Sequence, residues 1–570
     1  MSRRRIVVLM ILFLALFTIL GGRMAYCQLI QGPELAARAA AMRSQRVELK
    51  EYSRGDILDR NQLPLTNSAS SMSLYCLPQN LNTNSAERTR EATEVTLQDV
   101  THHLGPILGR EPERLYQQLV ASMEKNSGWV RLADGLSSEQ QASISALKQP
   151  SLVMVPITKR YQDNGFCAHL LGYIDGGAAP RGVAGVEKAY NQLLSGASSA
   201  SQLVSVQDAR GAAIDGLMYK IRQEQDQQKS AVVLTIDRRV QEMAEQALDR
   251  WVKRGAVVIM DVHSKEVLAM VSRPSFNPYA VGESRGTDSP LINRALTKYY
   301  PGSMFKILVA AAALEEGVVK PDENFFCSGK YIMPDGFSFS CERKTGHGKL
   351  TFAQAFALSC NPTFIDVGTR LKTSGLMAYV KKMHIDEEGL IGYPIVSGTG
   401  IRINPGPRAL ANACLGQDGV MLSPLQVCSL ISTVADQGRW ATPRVLSYTI
   451  DANGQQQTPP AAQEEQVLSQ QTVGILQRLM EKVVKEGTGT TASFPEAPAA
   501  GKTGTSQTGM LKDQDQEVLN TWFGGYFPAD HPRWAMVILV EDGKSGARDA
   551  APVFKDIAQN MVNTLGSRVD

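Results

Sequence analysis

Residues 301–314 read PGSMFKILVAAAAL, turn chemistry from Pro301 and Gly302 running directly into strong helix formers. The run predicts a helix that begins at Ser303. Positions i and i+3 share a helix face, so the Lys306 amine is within reach of the Ser303 hydroxyl. The positive end of the helix and an apolar setting both disfavour the charged amine, which turns a lysine into a proton acceptor beside a weak nucleophile. Upstream, AVVLTID at 231–237 reads as a strand and VQEMAEQALDRWVKR at 240–254 as an amphipathic helix. GAVVIMDVHSKEVLAMVS at 255–272 then reads as two strands joined by a polar turn. Downstream, TWFGGYF at 521–527 and WAMVILVED at 534–542 flank the turn FPADHPR, and a helix is expected over 553–564. Both ends of this region therefore supply strands, with a mostly helical insert from about 303 to 480 between them. Strands segregated from helices imply an α+β domain, an antiparallel sheet flanked by helices.

The whole chain has 570 residues, which at roughly 100 to 200 residues per domain excludes a single core. Hydrophobic residues at 43% and charged residues at 20% are ordinary for globular proteins and exclude a disordered or repeat-dominated chain. A formal charge of +3 is too near balance for a nucleic-acid footprint, so no nucleic acid is expected as partner. At the amino terminus, IVVLMILFLALFTILGG at 6–22 follows Arg3, Arg4 and Arg5 and nearly spans a bilayer. A cut after Gly22 would put Leu20, and one after Ala25 would put Arg23, at the third position back where a signal-peptidase site takes a small residue, so the reading is an uncleaved anchor with a cytoplasmic arginine cluster. The rest of the chain then lies outside the cytoplasm as a single-pass ectodomain. Residues 34–45 carry a helical pattern. Mixed strand-like and helical segments follow to about 224, and the polar run RQEQDQQK at 222–229 reads as a linker. The expected division is 1–27 tail and anchor, 28–228 an elongated α+β pedestal, and 229–570 the domain built around Ser303.

Two further elements complete a pattern. Ser359-Cys360-Asn361 precedes Pro362 and suggests a short turn between helices; Lys502-Thr503-Gly504-Thr505 lies between small residues and a strand. Each element has decoys. Ser122 to Lys125 and Ser145 to Lys148 repeat the Ser-x-x-Lys spacing and read as solvated helix residues. Ser275-Phe276-Asn277 sits between prolines in an extended loop, and Lys344-Thr345-Gly346 sits in a loop without an adjoining apolar strand.

Ser303-x-x-Lys306, Ser359-x-Asn361 and Lys502-Thr503-Gly504, in that order, resemble the active-serine penicillin-binding protein and β-lactamase superfamily. RGDILDRN at 54–61, HLLGYIDG at 169–176, GVAGVEKAYNQLLSG at 182–196, LTIDRRVQ at 234–241, RPSFNPY at 273–279, LGQDGVMLSPLQ at 415–426 and EGTGT at 486–490 extend the likeness. Over nearly the whole ectodomain the chain resembles a class B penicillin-binding protein of division or sporulation type, a monofunctional peptidoglycan D,D-transpeptidase. The resemblance implies a dimerisation-like pedestal and a β-lactamase/transpeptidase-like domain. It implies Ser303 as the acylated nucleophile, Lys306 as its base and Ser359 as a proton relay to the departing D-alanine. Asn361 would hold the stem-peptide amide and Lys502 the terminal carboxylate, assisted by Thr503 and Thr505. The backbone N–H groups of Ser303 and Thr505 would form the oxyanion hole, and Gly504 would let an extended peptide lie along an edge strand. Stem peptides are the implied substrates, β-lactams the implied inhibitors, and a polytopic glycan polymerase the implied partner. Two alternatives stay open: a hydrolase of the same superfamily (D,D-carboxypeptidase or β-lactamase), and a non-enzymatic penicillin-binding scaffold.

Other residues invite weaker readings. Arg54, Asp56 and Asp59 read as packed parts of the N-terminal module rather than an adhesion triplet. EGTGT reads as a substrate-side loop. Cys327 and Cys341 bracket the turn signal Pro334-Asp335-Gly336 and are candidates for a disulfide that could modulate the cleft. With His347 they lack an evident fourth ligand, so no metal is expected, and no cofactor. Cys27, Cys76, Cys167, Cys360, Cys414 and Cys428 read as small buried hydrophobes.

Overall fold

The computed structural model describes residues 3–32, 34–35, 44–48, 54–67, 69–78, 96–124, 129–149, 151–175, 180–195, 202–206, 220–222, 230–284, 288–395, 398, 400–513 and 516–566. The chain forms two compact units that are not contiguous in sequence. One comprises Met1–Ser53, Ser70–Lys159 and Ser198–Gln227; the other comprises Arg54–Ala69, Arg160–Ala197 and Gln228–Asp570. The sequence suggests one crossing near 228, and the structure has four more upstream of it. Arg54, Asp56 and Asp59, expected in the N-terminal module, belong to the second unit for an electrostatic and a pairing reason. Arg54 Nε lies 2.6 Å from Glu187 Oε2, Arg160 Nε engages Oε1 of the same carboxylate, and all three side chains are buried. Asp56–Leu58 pairs in parallel with Ala231–Leu234, in a four-stranded sheet completed by Leu446–Ile450 and Gln456–Gln457. The strand expected at 231–237, observed over Ala231–Leu234, thus joins this sheet rather than the one near Ser303.

In the first unit a three-stranded sheet (Val130–Ala133, Ala69–Cys76, Leu152–Lys159) packs with helices Leu97–Leu108, Pro112–Glu124 and Ser138–Ala146 around Leu74, Leu104, Leu115, Leu119 and Ile144. Ser122 is buried, not solvated, because it follows Leu115 and Leu119 at helical spacing on the inward face; Ser145 is exposed. A second sheet joins Ser44–Glu48, Gln202–Val206 and Lys220–Arg222. The helical reading of 34–45 therefore fails at Ser44, where a strand starts, while 36–43 and the linker residues 223–229 fall outside the described residues. At the amino terminus a helix runs over Arg3–Leu29, and its Ile6–Leu29 part is long and apolar enough to cross a membrane, with hydropathy 2.5 and no burial.

The second unit is centred on an antiparallel five-stranded sheet of β1 (Gly255–Asp261), β2 (Val267–Arg273), β3 (Ala500–Asp513), β4 (Gln516–Phe527) and β5 (Trp534–Gly543). Its order is β2-β1-β5-β4-β3. Side chains alternate between two cores, as the pleat requires. Ala256, Val258, Met260, Val537 and Leu539 enter one; Val257, Ile259, Met536 and Ile538 enter the other. Helices α1 (Arg238–Trp251) and α6 (Ala551–Leu565) cover the second face. Helices α2 (Lys306–Glu315), α4 (Pro424–Ala435) and α5 (Gln470–Glu486) cover the first, and α3 (Asn361–Lys382) packs beside α2. Asp59 fastens the start of α1, accepting from Arg238 N at 3.1 Å. This layering leaves β3 as a sheet edge beside the turn that bears Ser303.

Candidate active site

Ser303 lies on a tight 3₁₀ turn, Gly302–Phe305, that feeds α2. Gly302 has φ +55°, and a Cβ there would stand 2.4 Å from Thr505 O on β3, so only glycine lets the turn press against the edge strand. Gly504 is equally confined: a Cβ would meet Met304 Cγ and Pro301 O at 2.9 Å. Ser303 and the Lys502–Thr505 segment, distant in sequence, are thereby neighbours.

Lys306, fully buried, is the first residue of α2. Its Nζ donates to Ser359 O at 2.8 Å, Ser359 Oγ at 3.2 Å and Asn361 Oδ1 at 2.7 Å. Ser359 Oγ in turn donates to Ser303 Oγ at 2.9 Å. Lys306 and Ser303 are thus connected through the serine of the second element, where the helix-face argument expects direct contact. Burial without a carboxylate partner brings the Lys306 amine down to about 8. Ser359 holds φ +54°, a left-handed conformation uncommon outside glycine, immediately before α3 begins at Asn361. Asn361 keeps its amide pointed by donating from Nδ2 to Ser340 O at 3.0 Å.

Lys502 is also fully buried, with Nζ donating to Thr503 O at 3.1 Å. Burial, and then the neighbouring Lys306, hold its amine well below the usual lysine range. Thr503 Oγ1 and Thr488 Oγ1 are 2.6 Å apart, which ties EGTGT to the third element. Thr505 Oγ1 accepts from Gly546 N at 3.4 Å. Lys306, Ser359, Asn361 and Ser303 are thus joined by hydrogen bonds, and the close approach at Gly302 sets them beside the strand that carries Lys502, Thr503, Gly504 and Thr505. The Ser275-Phe276-Asn277 decoy is engaged elsewhere: Ser275 Oγ donates to Gly165 O at 3.0 Å, and Asn277 Oδ1 accepts from Tyr279 N at 2.9 Å.

A family profile described as penicillin binding protein transpeptidase domain matches residues 255–559, and one described as penicillin-binding protein dimerisation domain matches residues 50–228. The chain belongs to the penicillin-binding protein transpeptidase family. Among similar proteins are stage V sporulation protein D of Bacillus subtilis (strain 168), 29% identical over 99% of this chain and 86% of that one, and peptidoglycan D,D-transpeptidase FtsI of Escherichia coli (strain K12), 26% identical over 96% and 90%. The fold is similar to the crystal structure of the D,D-transpeptidase domain of a peptidoglycan glycosyltransferase from Eggerthella lenta. That likeness has a TM-score of 0.60 at 22% identity and covers 90% of this chain and 99% of that one.

In this penicillin-binding protein the sequence reading missed Ser340, whose carbonyl orients Asn361, and Thr488, whose hydroxyl meets Thr503. Neither carries a side-chain signal stronger than its neighbours; only the EGTGT likeness pointed toward Thr488. Cys327 and Cys341, candidates for a disulfide, are free thiols. They converge instead with His347 and with Cys360, the fourth metal-binding type of residue that the sequence reading did not supply. It was overlooked because it sits inside the Ser-x-Asn element and is buried like an ordinary hydrophobe.

Proposed function

We propose that the protein is a membrane-anchored peptidoglycan D,D-transpeptidase that cross-links stem peptides through a Ser303 acyl-enzyme. The observation that carries this reading is the chain Lys306–Ser359–Ser303 facing the edge strand β3. Neutral Lys306 accepts the Ser303 proton through the Ser359 hydroxyl as Ser303 Oγ attacks the carbonyl of the penultimate D-alanine. The Ser303 and Thr505 N–H groups receive the developing oxyanion. When the C–N bond breaks, the proton returns through Ser359 to the departing D-alanine amine. An amine from a second stem peptide then attacks the ester, giving its proton back along the same path and freeing Ser303. Lys502, Thr503 and Thr505 bind the donor's terminal carboxylate, and Asn361 its amide. β-Lactams acylate the same serine.

In this reading the Ile6–Leu29 helix is the single membrane span, with the catalytic part outside the cytoplasm. The chain divides functionally into an anchor over 1–27, a pedestal over 28–228 and a catalytic part over 229–570, and a polytopic glycan polymerase meets the anchor and pedestal. The test is labelling of the full chain with a fluorescent penicillin, with and without Ser303→Ala, followed over time. A long-lived adduct that requires Ser303 is expected. Rapid loss of label favours a hydrolase, and absence of label favours a scaffold.

A further inference from the structure

Three thiols and an imidazole meet beside the Ser-x-Asn element. Cys327 ends the strand Asn324–Cys327, Cys341 follows Ser338–Ser340, His347 precedes Gly348–Thr351, and Cys360 stands between Ser359 and Asn361. Their three Sγ atoms and one imidazole nitrogen all lie within 4.8 Å of one another. Cys327, Cys341 and Cys360 are 1%, 3% and 0% exposed, closed over by Leu350, Ala355 and Phe325. Cys341 Sγ is 3.6 Å from His347 Nδ1.

A tetrahedral site with metal–sulfur bonds of about 2.3 Å places its sulfurs roughly 3.8 Å apart, a small contraction from the spacing here. A disulfide would use two sulfurs at about 2.0 Å and leave a buried thiol and an imidazole without a purpose. Soft sulfur and nitrogen donors with no carboxylate select zinc over magnesium or calcium, and four protein ligands leave no open position for substrate or water.

We propose that Cys327, Cys341, His347 and Cys360 hold one structural Zn²⁺, and that this ion anchors the Ser359–Asn361 segment in its acylating geometry. On binding, each thiol releases its proton to solvent as its sulfur–metal bond forms, and the neutral imidazole donates a lone pair without losing a proton. The ion grips the segment from both sides. Cys360 is covalently next to Ser359, which is held at φ +54°, and Asn361 donates to Ser340, the neighbour of ligand Cys341. The anchoring role rests on the transpeptidase reading; metal binding does not.

The experiment takes the full chain, purified in detergent without chelator, and measures metal by mass spectrometry, with cobalt replacement read by its thiolate charge-transfer absorption. One zinc per chain is expected, lost in Cys341→Ser and His347→Gln and kept in Cys428→Ser, a buried thiol outside the cluster. Should the ligand variants not fold, the wild-type chain is treated with a strong chelator. Release of the metal should expose three thiols to a thiol reagent and slow penicillin acylation roughly tenfold, with zinc restoring both. A metal-free wild-type chain, metal retained in both ligand variants, or a Cys327–Cys341 disulfide in non-reducing peptide maps overturns the site. Acylation unchanged after metal release overturns the anchoring. A zinc-bearing chain that never labels at Ser303 supports the site and overturns the transpeptidase reading instead.

Discussion

Lys265 and Lys306 are both buried in the same unit and differ in a single partner. Lys265 Nζ donates to Val262 O at 2.7 Å, Ser432 Oγ at 3.2 Å and Asp436 Oδ2 at 3.0 Å. Lys306 Nζ finds a carbonyl, a hydroxyl and an amide oxygen, but no carboxylate. Burial lowers both amines, yet at Lys265 Asp436 opposes it, whereas no carboxylate is bonded to Lys306. A buried lysine with an acid is a structural ion pair; one with only neutral oxygens is poised to take a proton. The difference lies in what surrounds the ammonium, not in how deeply it is buried.

The comparison breaks most sharply by removing each amine's key property. Lys306→Met should cut the second-order rate of Ser303 acylation by about a thousandfold, within the range of general-base loss, while the chain stays folded. Undiminished labelling would sink the base assignment. Asp436→Asn should cost about 3 kcal/mol of stability and leave acylation per folded molecule unchanged, because it strands Lys265 without its acid. Since Lys265 then binds its proton more weakly in the folded than in the unfolded state, this penalty should shrink as pH rises toward the ordinary lysine range; denaturant titrations at several pH values test the sign.

A finer test uses pH. Only the neutral Lys306 amine accepts a proton, so acylation should rise about tenfold per pH unit below about 8 and level off above it. Groups that act on it are Lys502, Glu342, Cys341, Cys360 and Cys414. A flat profile through that range would remove the proton-acceptor role. The smallest effect belongs to Thr488→Val, which deletes one hydroxyl contact to Thr503 and should raise the apparent KM by the equivalent of about 1 kcal/mol with little change in kcat.

Much of this contrast was legible in the linear chain. Ser303, Lys306, Ser359, Asn361 and Lys502 announce themselves because turn, helix and strand signals stand beside them, and β1, β2, β4 and β5 have unbroken apolar runs. The path Lys306–Ser359–Ser303 was not, since helical periodicity relates Lys306 only to its own helix. Non-local pairing hid more: nothing in residues 54–61 signals that Asp56–Leu58 lies beside Ala231–Leu234. Cys360 was concealed because ligands at 327, 341, 347 and 360 lack a regular spacing, and three short strands are needed to gather them.

The position of β3 at the rim of the sheet has one more consequence. A strand with one side open to receive a peptide backbone is equally open to another copy of itself, and its far end exposes Met510 and Leu511 at 61% and 64%. Charged groups beside that stretch, Lys512 at 2.6 Å from Asp542 and Glu517 accepting from Gln507 Nε2 at 2.6 Å, must be desolvated when two such rims stack flush, which makes that stacking electrostatically costly. Neutralising Lys512 should therefore surface first as self-association of the protein, before any loss of catalysis.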